Sequence, residues 1–299
     1  MPMQRLDTET AFARYEAIRG RLPQARFPIK PRNNATLAEA SEPFDALVLD
    51  AFGVLNVGDS PIPGAVARMA ELRARGVGLC VLTNAANYTR AQAQAKYRRL
   101  GFDFAPEEVV SSRDVAAAHL DRIAPGILWG AIAAEGDSFA DLGASVADLL
   151  GDPALWRRAE GFLFLSSARW TPELQAQLVA ALKRAPRPVV IANPDLVAPR
   201  EDGLTIEPGF WGHDLQDRTG QTPHFFGKPY RDAFDAARQR LGARRPAMVG
   251  DTLHTDVLGG QAAGMGTILV TDHGLFAGFD ASSFIQRSGI TPDIVIPTT

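Results

Sequence analysis

Several features that assign proteins to specialised classes are scarce or absent in this sequence of 299 residues. It has one cysteine, Cys80, so no disulfide can form within the chain. Cys80 lies in the apolar run 77–82, which is typical of a buried and inert thiol. No uninterrupted apolar run approaches the roughly 18 residues of a membrane span, and residues 1–7 lack the apolar core of a secretory signal. We therefore expect a cytoplasmic protein that does not insert into a membrane.

An excess of charge of either sign is also missing. Lys and Arg together number 31 and Asp and Glu number 34, which gives a net charge of -3 and a pI near 6.0. This balance offers no basic surface for a nucleic-acid backbone, so we expect no nucleic-acid partner. The 46% of hydrophobic residues is typical of a globular protein, and the length suffices for one large domain or two smaller ones.

Short apolar runs alternate with longer amphipathic segments along most of the chain. The runs predict buried strands, and the segments between them, such as 63–76, 89–101 and 172–185, predict helices. The predicted strands are 46–50, 77–84, 127–131, 161–165, 188–192, 246–251, 266–271 and 293–296. We therefore predict an α/β fold, with a parallel sheet that carries helices on its faces.

Two parts of the chain depart from this simple alternation. Residues 1–43 carry one helical stretch followed by a polar segment with several prolines, and we interpret them as an N-terminal arm packed on the domain. Residues 123–224 contain a second set of strand and helix patterns and close in a stretch rich in glycine and proline. They predict an inserted domain, which divides the main domain into residues 44–122 and 225–299.

Polar residues follow several of the predicted strands. Asp50, Thr83, Asn84 and Asp251 stand at strand ends, and the carboxyl ends of the strands form the ligand crevice in open α/β sheets. Each residue alone could be a cap or a turn residue. Because they end three strands of one predicted sheet, we expect them to converge on one site.

The residue types near these strand ends suit the binding of a cation and an anion. A carboxylate such as Asp50 can ligate a cation or attack an electrophile. Asp251 and Asp256 are five positions apart across a strand-to-helix turn, so both can face one cation. Lys228 lies just before the predicted helix 230–241, which places a fixed positive charge beside a helix N-terminus.

Taken in order, these segments resemble the four motifs of the haloacid dehalogenase-like hydrolase superfamily. The motifs are the segments 47–55, 81–84, 226–229 and 248–256. Their spacing, together with the segments 62–65 and 192–195, is similar to that of the class IIA branch, which contains sugar phosphatases and nitrophenylphosphatases. The resemblance covers residues 45–299. It implies a Rossmann-like core with an α/β cap inserted between the second and third motifs, and a Mg²⁺-dependent hydrolase that acts on a small phosphorylated metabolite.

The resemblance also implies which residues bind the metal. Asp50 would be both the nucleophile and a Mg²⁺ ligand, and the backbone carbonyl of Phe52 would be a second ligand. Asp251 and Asp256 would anchor the cation. Hard oxygen donors of this kind are the ligands that Mg²⁺ prefers.

Three further residues would act on the phosphoryl group. Thr83 and Asn84 can donate hydrogen bonds to anionic oxygens, and the resemblance implies that they hold the transferring group. Lys228 would neutralise charge on Asp50 and on the phosphoryl oxygens. Phosphoryl transfer depends on such charge stabilisation, because an anionic nucleophile otherwise repels the phosphate.

Position 52 departs from the family pattern. Active phosphatases of the family usually carry a second aspartate there, which protonates the leaving alcohol and then activates water. In this chain the residue is Phe52, and a general acid/base of this kind contributes about 10²–10⁴-fold to the rate. We therefore expect slow hydrolysis of an aspartyl phosphate on Asp50. The alternative is a catalytically weak relative that binds a phosphorylated metabolite as a sensor or binding protein.

Two more residues are candidates for contacts in the crevice. His254 lies three residues after Asp251 and could replace the missing acid/base group, or it could be a loop histidine bonded to the backbone. Asp195 lies at a strand end in the presumed cap and could contact a substrate hydroxyl, or it could form a turn after Pro194. Caps of this branch often mediate dimers, so a homodimer is compatible with the resemblance.

Overall fold

A computed structural model describes residues 5–200 and 203–299. Residues 1–4 of the predicted arm and 201–202 of the predicted insertion lie outside the described residues. The strands of the described residues are β1 (Arg5–Leu6), β2 (Arg32–Asn33), β3 (Ala46–Leu49), β4 (Asn56–Val57), β5 (Ser60–Pro61), β6 (Gly78–Thr83), β7 (Val109–Ser111), β8 (Leu128–Ile132), β9 (Ser145–Asp148), β10 (Gly161–Phe164), β11 (Val189–Ile191), β12 (Val197–Arg200), β13 (Gly203–Ile206), β14 (His224–Phe225), β15 (Pro246–Gly250), β16 (Gly266–Val270) and β17 (Ile294–Ile296). Every predicted strand is present among them.

The helices follow the predicted amphipathic segments and local capping signals. In the described residues they are α1 (Thr8–Ala17), α2 (Leu37–Ala40), α3 (Ala65–Ala74), α4 (Arg90–Arg99), α5 (Ser112–Ala117), α6 (Leu120–Ile123), α7 (Leu155–Arg158), α8 (Pro172–Arg184), α9 (Pro208–Thr219), α10 (Arg231–Leu241), α11 (Leu258–Ala262) and α12 (Ala281–Ser288). The hydroxyl of Thr89 accepts a hydrogen bond from the backbone N–H of Gln92 and caps α4. A π-helical turn, Leu253–Val257, precedes α11. Within the described ranges, no helix is both long and apolar enough to cross a membrane.

The larger sheet forms the core of the protein. Over the described residues it has seven strands in the order β2-β17-β16-β15-β3-β6-β7, and every pairing is parallel. Successive side chains of a strand point to opposite faces of the sheet. Leu47 and Leu49 therefore pack in a cluster with α3 and α4, while Val48 packs in a cluster with α5 and α10. This arrangement of helices on both faces confirms the predicted α/β class.

A second parallel sheet is built from the inserted part of the chain. Its order is β14-β11-β10-β8-β9, and it spans residues 128–225. Phe162 and Phe164 of β10 pack in a cluster with residues of α8 and α9. Leu163, on the opposite face, belongs to the apolar cluster that contains α5 and α10. The cap therefore covers one face of its sheet with its own helices and shares an apolar cluster with the core through the other.

The N-terminal arm is joined to both parts. β2 is an edge strand of the core sheet and pairs with β17. β1 pairs antiparallel with β13, which pairs with β12, so the arm adds a strand to a cap hairpin. Between these strands α1 buries Ala11, Phe12 and Tyr15. They pack in one cluster with Leu196 of the cap and Leu253 of the core.

Candidate active site

A cavity of about 120 Å³ lies between the core and the cap, where β3, β6 and β15 end. Ends of parallel strands meet at one edge of a sheet, which brings the strand-end residues together here. The wall from the core includes Asp50, Phe52, Thr83, Asn84, Tyr88 and Asp251. The wall from the cap includes Ser166, Ser167, Asn193, Asp195, Thr205 and Glu207. A small molecule bound in this cavity would contact both parts.

Three carboxylates and one ammonium group form the charged centre of the site. Asp50, Asp251 and Asp256 each offer an oxygen, and these oxygens lie within 4.8 Å of one another. The Lys228 Nζ atom lies 2.6 Å from Asp50 Oδ1 and 2.7 Å from Asp256 Oδ1. The buried ammonium group therefore contacts two of the three acids, and the remaining negative charge favours a second cation.

Burial shifts the ionisation of this group. Loss of hydration, together with repulsion between the neighbouring carboxylates, raises the pKa of both Asp251 and Asp256. Burial alone would lower the pKa of Lys228, but the attraction of Asp256 and Asp50 exceeds this effect and raises that pKa. The ammonium group therefore stays charged. A divalent cation at the acids would oppose the rise in their pKa values.

Backbone donors fix the two acids of the fourth motif. Asp251 Oδ2 accepts a hydrogen bond from the Leu275 N–H at 2.7 Å, and Asp256 Oδ2 accepts one from the Thr252 N–H at 3.0 Å. Gly53 has a φ of +76°, and a Cβ there would lie 2.7 Å from the Cβ of Asp251. Only glycine permits this close approach of the first motif to the fourth.

Asn84 joins three parts of the site. Its side-chain oxygen accepts the Lys228 N–H at 2.8 Å, and its Nδ2 donates to the Lys228 carbonyl at 3.0 Å and to Asp195 Oδ1 at 2.8 Å. Both donor hydrogens of the amide are therefore used within the protein. Asn84 also lines the cavity, and these hydrogen bonds make it a bridge between core and cap; its contact with a substrate stays a prediction. Thr83 lines the cavity, and its hydroxyl accepts the Ala85 N–H at 3.2 Å.

Asp195 lies in the cavity wall, where the cap approaches Lys228. Burial raises the pKa of its carboxyl well above the ordinary value, although Lys228 opposes the rise. The carboxyl group accepts a hydrogen bond from the Asn84 amide, so it does not lie in the solvated turn that was the alternative prediction. Its place in the wall is compatible with the predicted contact to a substrate.

His254 does not reach the cavity. Its imidazole is fully buried, and Nε2 lies 2.5 Å from Oε1 of Glu16 in the arm. The ring also stacks on Tyr15, with ring centroids 4.8 Å apart. This position corrects the expectation that His254 enters the crevice: within the π-helical turn Asp256 faces Lys228, whereas His254 faces α1. The spacing from Asp251 could not predict that the arm docks on this turn.

Lys96 is a buried residue near the site that sequence reasoning missed. Its Nζ atom lies 4.3 Å from the ring centroid of Phe52 and 5.6 Å from that of Tyr88, and both rings line the cavity. A cation over the face of an aromatic ring is attracted by the ring quadrupole. In the sequence Lys96 is an ordinary lysine of an amphipathic helix, and only its place beside Ala93 on the buried face of α4 distinguishes it.

Apart from Asp195, the polar residues of the cap wall were not predicted from the sequence. Ser166 and Ser167 follow β10, and the Ser167 hydroxyl is buried without a hydrogen-bond partner among the described residues. The Glu207 carboxylate accepts hydrogen bonds from Asn193 Nδ2 at 3.1 Å and from the Thr205 hydroxyl at 3.1 Å. The rule that polar residues follow strand ends, applied to the second sheet, would have found the serines.

The comparisons with known proteins agree with this geometry. A family model for haloacid dehalogenase-like hydrolases matches residues 47–139, and an HAD-hydrolase-like model matches residues 225–298. The unmatched segment between them contains most of the cap. The two models therefore match the two parts of the core.

Individual relatives cover most of the chain. A glycerol-3-phosphate phosphatase of Gallus gallus is 32% identical over 276 residues, which are 84% of this chain and 88% of the relative. An acid sugar phosphatase of Staphylococcus aureus is 27% identical over 83% of this chain and 93% of the relative. The structure of a glycerol phosphate phosphatase of Mycobacterium tuberculosis in complex with magnesium is similar with a TM-score of 0.64 and 28% identity, over 78% of this chain and 69% of that chain. The chain therefore belongs to the haloacid dehalogenase-like hydrolases, in their class IIA branch.

Proposed function

We propose that the protein is a Mg²⁺-dependent phosphatase that hydrolyses a small phosphorylated metabolite through an aspartyl phosphate on Asp50. The observation that carries this proposal is the cluster of Asp50, Asp251 and Asp256 around the ammonium group of Lys228. It combines a carboxylate nucleophile, a fixed cation and a set of oxygen donors for a metal. The phosphatase names of the relatives support the same reaction.

The donor set fits Mg²⁺. Three carboxylates lie close together in a buried site, and a single ammonium group leaves their charge incompletely balanced. Asp50, Asp251 and Asp256 would hold the ion, together with the backbone carbonyl of Phe52 that the family resemblance implies. When bound, Mg²⁺ would offset the repulsion between Asp50 and an incoming phosphate. A relative whose structure contains magnesium supports this choice of metal.

The reaction would take place in two steps, because Asp50 forms a covalent intermediate. In the first, an oxygen of Asp50 attacks the phosphorus, the ester bond breaks, and the leaving alkoxide takes a proton from water. In the second, water attacks the phosphorus, the bond to Asp50 breaks, and inorganic phosphate leaves. Lys228 stays paired with Asp50 and would neutralise the transferring oxygens, and the Thr83 hydroxyl would donate to one of them.

Phe52 makes the two steps unequal. A phenyl ring can neither protonate an alkoxide nor accept a proton from water, so the acid/base contribution of about 10²–10⁴-fold is missing at this position. Esters with good leaving groups would still phosphorylate Asp50. Because the second step lacks a general base at position 52, we expect the phosphoenzyme to accumulate. Intact-mass spectrometry after mixing with acetyl phosphate and Mg²⁺ checks this, and absence of a phosphorylated species in the wild type contradicts it.

The cavity favours a compact polyol or sugar phosphate. Its walls come from both the core and the cap, so a bound ester would be enclosed between them. The Ser167 hydroxyl and the carboxylate of Glu207 offer a donor and an acceptor to substrate hydroxyl groups. Relatives that are named for glycerol 3-phosphate and for acid sugars support this class.

A binding protein without turnover is the second candidate, and Phe52 is the observation that favours it. The pocket would then hold a phosphorylated metabolite without releasing phosphate. Calorimetric titration with esters that are not hydrolysed would detect such binding.

The experiment that separates these functions measures phosphate release from a panel of phosphate esters with Mg²⁺. Wild type is compared with Asp50→Asn and with Asp121→Asn, which changes an exposed aspartate of α6 in the same way. Turnover that is lost only in Asp50→Asn supports the phosphatase and gives its substrate class. Turnover that persists in Asp50→Asn, or is absent with every ester, contradicts it.

A further inference from the structure

Two consecutive residues of α1 contact two different loops that carry cavity-lining residues. The Tyr15 hydroxyl accepts a hydrogen bond from the N–H of Leu196 at 3.1 Å, and Leu196 follows the wall residue Asp195. The Glu16 carboxylate lies 2.5 Å from His254 Nε2, in the turn that carries Asp256. One turn of the arm therefore connects the cap loop to the loop of the metal-binding acids.

The first strand of the arm supports the same cap wall. β1 pairs with β13 so that Leu6 lies opposite Leu204, in register with the pocket-lining hairpin of β12 and β13. That hairpin contributes Val197 and Thr205 to the cavity. The arm thus forms the outer strand behind this wall.

Ion pairs at both ends of α1 attach it to the core and to the cap. Near its start, Glu9 pairs with Arg287 of α12 in the core at 2.8 Å. Near its end, Arg14 pairs with Asp217 of α9 in the cap at 2.6 Å, and Arg21 pairs with the same carboxylate. Exposed ion pairs contribute little free energy individually. They do show that the helix spans the boundary between the two parts.

The buried contacts of α1 are the ones that fix the two loops. Tyr15 is 2% exposed and its ring lies on the imidazole of His254. Without the Tyr15 hydroxyl, the buried N–H of Leu196 would lose its acceptor, which is costly for a backbone donor. Without the Glu16 carboxylate, His254 Nε2 would lose its partner. The position of each loop therefore depends on α1.

We propose that Tyr15 and Glu16 are positioning residues, and that the arm is a strap that holds the cap over the cavity at a fixed distance from the metal-binding turn. This inference rests on the proposed function, because it assigns the strap a role in the same site. Loosening the strap would lower the fraction of molecules in which both walls face the substrate. The apparent affinity for substrate falls by that fraction, whereas the chemical step in the assembled site is unchanged.

The test compares Tyr15→Phe with Glu9→Gln in the full-length protein. Tyr15→Phe removes the acceptor for Leu196 and keeps the ring on His254. Glu9→Gln is the matched control, because it breaks an exposed ion pair of the same helix that touches neither loop. With p-nitrophenyl phosphate and Mg²⁺, we expect Tyr15→Phe to raise KM by about 3–10-fold with kcat within about twofold of wild type. Glu9→Gln should leave both constants unchanged.

Hydrogen exchange followed by mass spectrometry gives a second measurement that needs no substrate. We expect the segments 195–198 and 203–206 to exchange faster in Tyr15→Phe than in wild type, with the strands of the core sheet unchanged. We expect Glu16→Gln to accelerate exchange in 253–257. Equal acceleration in all segments would mean general destabilisation and would overturn the proposal.

The two measurements separate the strap from the proposed activity. If wild type hydrolyses no ester, the proposed function fails, and hydrogen exchange alone decides the strap. If exchange at 195–198 is the same in Tyr15→Phe and wild type, the strap is wrong even in an active enzyme. If exchange changes but KM does not, the arm is attached to the wall without positioning it, and the proposal is overturned.

Discussion

Replacing Phe52 by aspartate tests whether Lys96 controls the chemistry that is available at position 52. The Lys96 ammonium lies 4.3 Å from the Phe52 ring centroid. The carboxyl carbon of an aspartate takes the place of the ring carbon Cγ. With its oxygens roughly 5 Å from Nζ and an effective dielectric constant of about 20, the attraction is about 3 kcal/mol and lowers the carboxyl pKa by about two units. A general acid needs a pKa near the working pH, so we expect Phe52→Asp alone to raise kcat less than about tenfold.

Removing the Lys96 cation should allow the pKa of the new carboxyl group at position 52 to rise. In Phe52→Asp/Lys96→Met the unbranched methionine replaces the lysine stem, and burial can then raise the pKa of the carboxyl group. We expect this double variant to exceed Phe52→Asp in kcat by about 10-fold or more, with the full acid/base contribution of about 10²–10⁴-fold as the upper limit. The gain in kcat/KM, which reports the first step, should be larger for glycerol 3-phosphate than for p-nitrophenyl phosphate, because only the poorer leaving group needs protonation.

Steady-state phosphate release across pH measures these effects, with Phe52→Asn and Lys96→Met as controls. Asparagine has the shape of aspartate but cannot transfer the proton. Equal kcat values for Phe52→Asp and the double variant would refute the role of Lys96. An equal gain in Phe52→Asn would refute acid/base catalysis at position 52 and would indicate that space alone limits turnover.

Three further predictions concern stability and reactivity. The buried guanidinium of Arg113 pairs with the buried carboxylate of Asp137 and with the partly exposed Asp141. Arg113→Met leaves Asp137 without its cation and should lower the free energy of unfolding by about 3–5 kcal/mol in urea titrations; an unchanged midpoint contradicts this. Burial of Cys80 raises its pKa to about 12, so a chromogenic thiol reagent should react only after unfolding, and rapid reaction of the native protein would count against a closed core. Burial lowers the pKa of His213 to about 3. The unfolded state then binds more protons below about pH 6.5, and stability should fall toward pH 4 by up to about 1.4 kcal/mol per pH unit. His213→Phe should lose this contribution, and an identical pH dependence in wild type and variant would contradict it.

The strands and the charged centre could be predicted because their signals are local. Apolar runs that end in Asp50, Thr83 or Asp251 identify both the strand and the edge at which it ends. The parallel order then brings these ends together without further information. The α/β class was confirmed for the same reason, since alternation of runs and amphipathic segments leaves few other architectures.

The remaining features depend on contacts between distant residues. Asn84 and Asp195 are 111 positions apart, and no local pattern indicates that the Asn84 amide donates a hydrogen bond to the Asp195 carboxylate. Glu16 and His254 are 238 positions apart, which is why the sequence could suggest an acid/base role for a histidine that the arm covers. Lys96 lies beside Phe52 only because α4 packs on the core sheet.

The arm can dock only after the segments that it contacts have been synthesised. Residues 8–17 are synthesised well before the segments they contact. The contacts of Tyr15 and Glu16 close loops of 181 and 238 residues, and β2 pairs with β17, which is made later still. Such long closures are entropically costly and slow. The apolar side of α1 is therefore exposed during translation, where a chaperone can bind it. A chain that is cut short before β17 leaves β2 without its partner strand and exposes the edge of β16, where another chain can pair with it.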